Sequence, residues 1–211
     1  MSLILEEAES LFASPLVRFR VAGHEVLDAA LLHEGERLRA ASEGARKSNQ
    51  GGWHSAGNLF DEDAPSIGRL RALVEEAVAT AMTRIEATPP KGATALKLFG
   101  WMNANPPRGF NAPHTHPGAH WSGTYYLRQP EVDEGRSGMI EFLDPRSDLA
   151  GWSGFGGGPF RSKKRLRPVP GEMILFPSWL THWVYPNDSA EERWSIAFNA
   201  TFRKPPKRQP G

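Results

Sequence analysis

The chain has 211 residues, a formal net charge of +1, 39% hydrophobic and 23% charged residues, and no cysteine. That length suits one domain with a real core, and near-neutrality gives no global pull towards nucleic acid or anionic membrane. The missing thiol excludes disulfides, thiolate metal sites and cysteine nucleophiles and fits a cytoplasmic protein, so metal chemistry would fall to imidazoles and carboxylates.

The opening, Met1-Ser2-Leu3-Ile4-Leu5-Glu6-Glu7, turns acidic at once and does not read as a secretory leader. No apolar run approaches the roughly 20 residues of a membrane helix. Val17-Arg18-Phe19-Arg20-Val21 alternates as a strand does, and Gly23 breaks it. Residues 25–43 carry Leu27, Leu31 and Leu38 among charges and predict a helix. Lys47 to Ser55, with Gly51-Gly52, reads as a loop. A second helix starts at Pro65, with Asp63 or Ala64 as its cap. Its apolar residues Ile67, Leu70, Val74, Ala77, Val78, Ala81 and Ile85 recur at the 3.6-residue period, and Pro89-Pro90 ends it.

From residue 94 the pattern turns to β. Candidate strands cover 95–103, 120–128, 138–143, 164–168, 172–176, 182–186 and 193–202, with glycine, proline, aspartate and asparagine between them. Many short strands predict a sandwich or barrel. We expect a mainly β single domain, with a helix-rich 1–92 packed on a jelly-roll core of 93–202 and a flexible tail over 203–211. The glycine-rich stretch 147–162 has the length of a functional loop and is a candidate lid.

The chemistry concentrates at Asn111-Ala112-Pro113-His114-Thr115-His116-Pro117-Gly118-Ala119-His120. On an extended strand His114 and His116 face one side and Thr115 the other. His182 follows the apolar run Met173 to Phe176 and Pro177, in a hairpin-like return that brings it to the same interior. Three imidazoles on a β-scaffold suit a transition metal. Since such ligands bind only when neutral, affinity should fall as pH drops below about 6.5. His120 lies across Pro117-Gly118, so strand geometry leaves its direction open between ligand, ligand-supporting group and pocket rim. In Arg193-Trp194-Ser195-Ile196-Ala197-Phe198-Asn199, the odd positions share a face. If that face points inwards, Arg193 is a buried cation, answered either by a bound carboxylate or by a protein acid such as Glu172 or Glu141. Trp53, Trp101, Trp152, Trp179 and Trp183 are candidates to line the pocket.

Taken together, His114-x-His116, Ser122-Gly123-Thr124-Tyr125-Tyr126-Leu127, Gly171 to His182 and Arg193-x-Ser195 resemble the iron(II)/2-oxoglutarate-dependent dioxygenase superfamily. The resemblance spans roughly residues 10–202 and is nearest to a branch sharing the loop Ser48 to Trp53 and the pair Pro145-Arg146. It implies a double-stranded β-helix (a cupin-like jelly roll). It also implies Fe(2+) on His114, His116 and His182, and 2-oxoglutarate as co-substrate held through its distal carboxylate by Arg193, Ser195 and Tyr126. The implied reaction is C–H oxidation of a substrate with release of succinate and carbon dioxide. One departure stands out: the superfamily has a carboxylate where this chain has His116. A small-molecule or polypeptide substrate and, at most, a second copy of the chain are the partners expected. The alternatives are a three-histidine cupin enzyme without 2-oxoglutarate, in which His120 would serve as a further ligand, and a non-catalytic binder using Lys163-Lys164-Arg165-Leu166-Arg167 and the basic tail.

Overall fold

The computed structural model describes residues 5, 7, 12–132, 135–146 and 161–204. Their order is β1 (Val17–Arg20), α1 (Glu25–Ala41), β2 (Asn49–Gln50), β3 (Trp53–His54), a 3-10 turn (Leu59–Asp61), α2 (Pro65–Arg84), β4 (Ala95–Asn105), β5 (Phe110–His114), β6 (Trp121–Arg128), β7 (Ile140–Leu143), β8 (Lys163–Leu166), β9 (Glu172–Pro177), β10 (His182–Val184) and β11 (Arg193–Arg203). The candidate lid, with Trp152, and the tail beyond Lys204 lie outside the described residues, apart from Arg161 and Ser162.

Two antiparallel sheets form. The larger runs β1-β9-β6-β11-β4-β3 and the smaller β2-β5-β10-β7-β8. From β4 onwards the chain passes between them from β4 to β5, β5 to β6, β6 to β7, β8 to β9, β9 to β10 and β10 to β11, which winds the expected jelly roll. The first 92 residues do more than supply helices. β1 pairs with β9, β2 with β5 and β3 with β4, so this segment is stitched into both sheets. The loop expected over Lys47 to Ser55 therefore contains two short strands. Two-residue strands are set by distant partners and leave no periodicity to read.

The period of two gives each strand of the larger sheet two roles. Met102, Ala104, Trp194, Ile196, Phe198 and Ala200 face the helices and pack with Leu31, Leu70, Val74 and Ala81 into one core. A second, smaller core lies between the sheets and contains Tyr126, Ile140, Phe142, Ile174, Phe176 and Val184. On α2 all the predicted apolar positions are buried except Ile85, which is 36% exposed. The helix stops at Arg84, before Pro89-Pro90, because Glu86 turns left-handed (φ 54°). Ala64 is its cap residue, without a side-chain bond, and Pro65 occupies the first turn. Gly171 makes the expected turn into β9 at φ 73°, and a Cβ there would lie 2.2 Å from the His24 ring.

Candidate metal centre and carboxylate pocket

His114 is the last residue of β5 and lies directly opposite His182 in the β5–β10 register. Facing residues of an antiparallel pair project to the same side, and the two ring centroids are 4.4 Å apart. His116 lies past the end of β5. It stays extended because its backbone N–H donates to Ser178 O at 2.8 Å, and Ser178 is fixed in turn by donating its hydroxyl to Ala119 O at 2.6 Å. The alternation read from the sequence thus continues beyond the sheet. Thr115 is exposed, while the rings of His114 and His116 sit 4.8 Å apart.

One ligand atom from each of the three rings falls within 4.8 Å of the others. The backbone selects the tautomers. His114 Nδ1 donates to Ala112 O at 2.7 Å and His182 Nδ1 to Leu180 O at 2.9 Å, which leaves Nε2 of both rings as lone pairs. His116 Nε2 lies 3.3 Å from His182 Nε2. Two ring nitrogens this close need a proton or a cation between them. Burial, reinforced by the neighbouring imidazoles, lowers the His116 pKa to about 3 and that of His182 to about 4, and burial lowers His114 as well. All three are therefore neutral at pH 7, the form that binds metal. Phe176 packs edge-on to His182 at 4.6 Å and Trp101 tilts against His116 at 5.5 Å.

The same cavity reaches Tyr126, Arg193 and Ser195. The odd face of β11 does point inwards: Arg193 is 1% exposed and Ser195 2%. Neither candidate acid answers the guanidinium, because Glu172 pairs with Arg18 and Glu141 with Arg165. Arg193 instead donates from Nε to Gln129 Oε1 at 2.9 Å and from Nη1 to Ser195 Oγ at 3.3 Å, with Cζ 5.2 Å from the Tyr126 ring centroid. Burial lowers its pKa. The Tyr126 hydroxyl is fully buried beside Arg193 and Thr124, at most weakly bonded to them, and burial raises its pKa to about 12. A buried cation that pairs with no carboxylate among the described residues, beside a buried tyrosine hydroxyl, fits an organic anion.

Other expectations fare differently. His120 is exposed and accepts from Phe202 N at 3.1 Å, away from the triad, so it is not a ligand here. Of the described tryptophans only Trp101 lines the cavity. Trp53 joins the helix-side core, Trp179 is 51% exposed and Trp183 donates to Glu141. The basic run lies on β8, an edge strand, where Arg165 pairs with Glu141 and Arg167 donates to Gly135 O. Sequence reasoning missed Gln129, Asn103, Asn111 and Ser48. Gln129 sits just past β6, and nothing in its neighbourhood marks it. Ser48 Oγ comes 3.5 Å from His114 Nε2 because β2 pairs with β5; only the loop motif around it hinted at a role.

A neutral imidazole triad beside a buried arginine, inside a jelly roll, is an arrangement that could hold a metal ion next to an organic acid. Residues 100–199 match the family model described as "Putative 2OG-Fe(II) oxygenase". Over that stretch, just under half of the chain, the sequence is similar to the iron(II)/2-oxoglutarate-dependent oxygenases, enzymes that use iron and 2-oxoglutarate. No curated protein matches the sequence. Among solved structures, it is similar to a Pseudomonas putida prolyl-4-hydroxylase (TM-score 0.65, 17% identity, covering 92% of this chain and 95% of that one). It is also similar to a prolyl hydroxylase from Trichoplax adhaerens in complex with a hypoxia inducible factor peptide (TM-score 0.60, 13%, 89% and 83%). A third is HygX from Streptomyces hygroscopicus with nickel, 2-oxoglutarate and hygromycin B bound (TM-score 0.57, 13%, 89% and 83%). These likenesses establish the double-stranded β-helix fold. Among the described residues no helix is long and apolar enough to cross a membrane.

Proposed function

We propose that His114, His116 and His182 hold the iron, that Arg193, Ser195 and Tyr126 hold the distal carboxylate of 2-oxoglutarate, and that the enzyme hydroxylates a C–H bond of its substrate. The observation that carries this reading is the shared cavity: three neutral imidazoles open into the same space as a buried arginine that no carboxylate among the described residues answers. When bound, the metal supplies the oxidative chemistry that splits 2-oxoglutarate into succinate and carbon dioxide. The chain supplies placement. The carbonyls of Ala112 and Leu180 hold the Nδ1 protons of His114 and His182 and so aim both Nε2 atoms. Gln129 and Ser195 hold the guanidinium in one pose. Ile140, Phe142, Phe176 and Val184 close the space behind His182 to water.

The His116 substitution leaves the metal with three neutral ligands, so the charge of a dianionic co-substrate is answered by the metal and Arg193 together. A cytoplasmic location belongs to the proposal: 2-oxoglutarate is a metabolite of that compartment, and a cysteine-free chain needs no oxidising one to fold. The similar structures carry ligands from a peptide to hygromycin B, so the fold does not select the substrate.

The test is succinate formation by the purified protein with ferrous iron and 2-oxoglutarate. We expect succinate that requires both and disappears in Arg193→Leu. Iron binding with oxygen uptake indifferent to 2-oxoglutarate would return the protein to the three-histidine cupin reading.

A further inference from the structure

Across the inner face of the larger sheet, Asn103, Ser195 and Tyr126 stand in one row. Ser195 is the direct cross-strand partner of Asn103 on β4 and of Tyr126 on β6. Direct partners place their Cβ atoms about 4.5–5.5 Å apart on one face, so Ser195 is flanked on both sides. Tyr126 flanks it with a buried, at most weakly bonded hydroxyl, and Asn103 with a carboxamide that is 5% exposed and lines the cavity, its Oδ1 buried without a hydrogen bond among the described residues.

Asn105, two residues on, makes the contrast. Its Oδ1 is also unpaired, but its Nδ2 is committed to Asn111 Oδ1 at 3.1 Å, and it does not line the cavity. Leaving a buried polar group unpaired costs about 1–3 kcal/mol, and such groups mark positions where a ligand completes the site. Turning the Asn103 carboxamide over about Cβ–Cγ exchanges oxygen for nitrogen, which puts a donor where the unpaired acceptor stands, on a residue that lines the same cavity as Ser195.

We propose that Asn103 is a co-substrate-binding residue whose Nδ2 donates a hydrogen bond to the distal carboxylate of 2-oxoglutarate, on the side of Ser195 opposite Tyr126. The inference rests on the reading of the cavity given above. It makes the pocket a four-sided clamp of Arg193, Ser195, Tyr126 and Asn103. It also gives β4, which carries no metal ligand, a part in choosing a dicarboxylic 2-oxo acid over a monocarboxylic one.

The experiment is an anaerobic titration of the ferrous protein with 2-oxoglutarate, followed by the charge-transfer absorption of the complex. It is repeated with 2-oxopentanoate, which has the same 2-oxo acid end and chain length but no distal carboxylate. Asn103→Ala is expected to weaken 2-oxoglutarate about tenfold, equivalent to about 1.4 kcal/mol, and to leave 2-oxopentanoate unchanged. Asn103→Asp keeps the shape and sets a carboxylate against a carboxylate, so it should weaken 2-oxoglutarate further while melting close to the wild type. Wild-type affinity for 2-oxoglutarate in both variants overturns the assignment, and so does an equal loss for both acids. Arg193→Gln separates the two levels. If it weakens 2-oxoglutarate while the Asn103 variants do not, only the role of Asn103 falls. If the wild type gives no saturable signal and Arg193→Gln no change, the reading of the whole cavity falls with it.

Discussion

On its helix-facing side the larger sheet presents Met102, Ile196, Phe198 and Ala200, all fully buried in a continuous apolar core. On the side facing the second sheet the same strands present Asn103, Arg193, Ser195 and Tyr126, also buried but polar, and Asn103 Oδ1 has no partner among the described residues. The two faces differ in what completes them. The outer face is finished by the protein's own helices; the inner face is finished in part by the second sheet, which packs on its Ile174 and Phe176, and in the proposed reading its polar group is completed by a ligand. Strand alternation separates the two tasks at the resolution of a single residue: Tyr125 reaches out to Asp28 Oδ1 on α1 at 2.6 Å, while Tyr126 turns into the cavity. Stability and chemistry are therefore carried by adjacent residues of the same strands.

That separation is open to a direct challenge at Ile196 and Ser195, neighbours on β11. Ile196→Ala empties a fully buried position on the outer face and should cost about 2–5 kcal/mol of stability, read in a denaturant titration, with 2-oxoglutarate affinity unchanged in the folded protein. Ser195→Ala should cost less stability than that, on the scale of the one hydrogen bond it accepts from Arg193, and lose about tenfold in 2-oxoglutarate affinity, the scale of one hydrogen bond to a charged group. If Ile196→Ala loses 2-oxoglutarate affinity as much as Ser195→Ala does, the faces are not independent.

A smaller effect is expected from pH. His116 and His182 have folded-state pKa values lowered to about 3 and about 4, against about 6.5 in an unfolded chain. Below about 6.5 the unfolded state takes up protons that the metal-free folded state refuses, so stability declines as pH falls from there towards about 4 and then about 3. Thermal melts of the metal-free protein should show this decline, and His182→Ala should flatten part of it. The same shifts revise the expectation for the metal. Proton competition sets in well below the ordinary imidazole range, so iron should be retained from pH 7 to about 5.5, where unperturbed histidines would already be losing it. A melting temperature independent of pH between about 6.5 and about 4.5 would contradict the buried, neutral triad.

Much of this was legible in the residues. The long, strongly periodic α2 and the alternating β11 announced themselves, because a 3.6 or a 2.0 period is written in consecutive residues. The triad was legible because two of its members share one short stretch and the third follows a buried strand. What stayed hidden depends on register between distant strands. β2 and β3 are two residues each and exist through pairing with β5 and β4. Asn103 and Gln129 enter the site through partners far along the chain, Ser195 and Arg193. His120 and the tryptophans show the opposite failure. Residue type suggested a role, but direction, which decides it, is set by turns such as Pro117-Gly118 whose outcome no local pattern fixes.

The central claim is that three imidazoles, with no protein carboxylate, hold the metal in front of the arginine pocket. X-ray absorption on the ferrous protein with 2-oxoglutarate bound counts those ligands directly. The account predicts scattering from three imidazoles, falling to two in His116→Ala. A first shell of two imidazoles and a protein carboxylate, or one unchanged by that substitution, would contradict it.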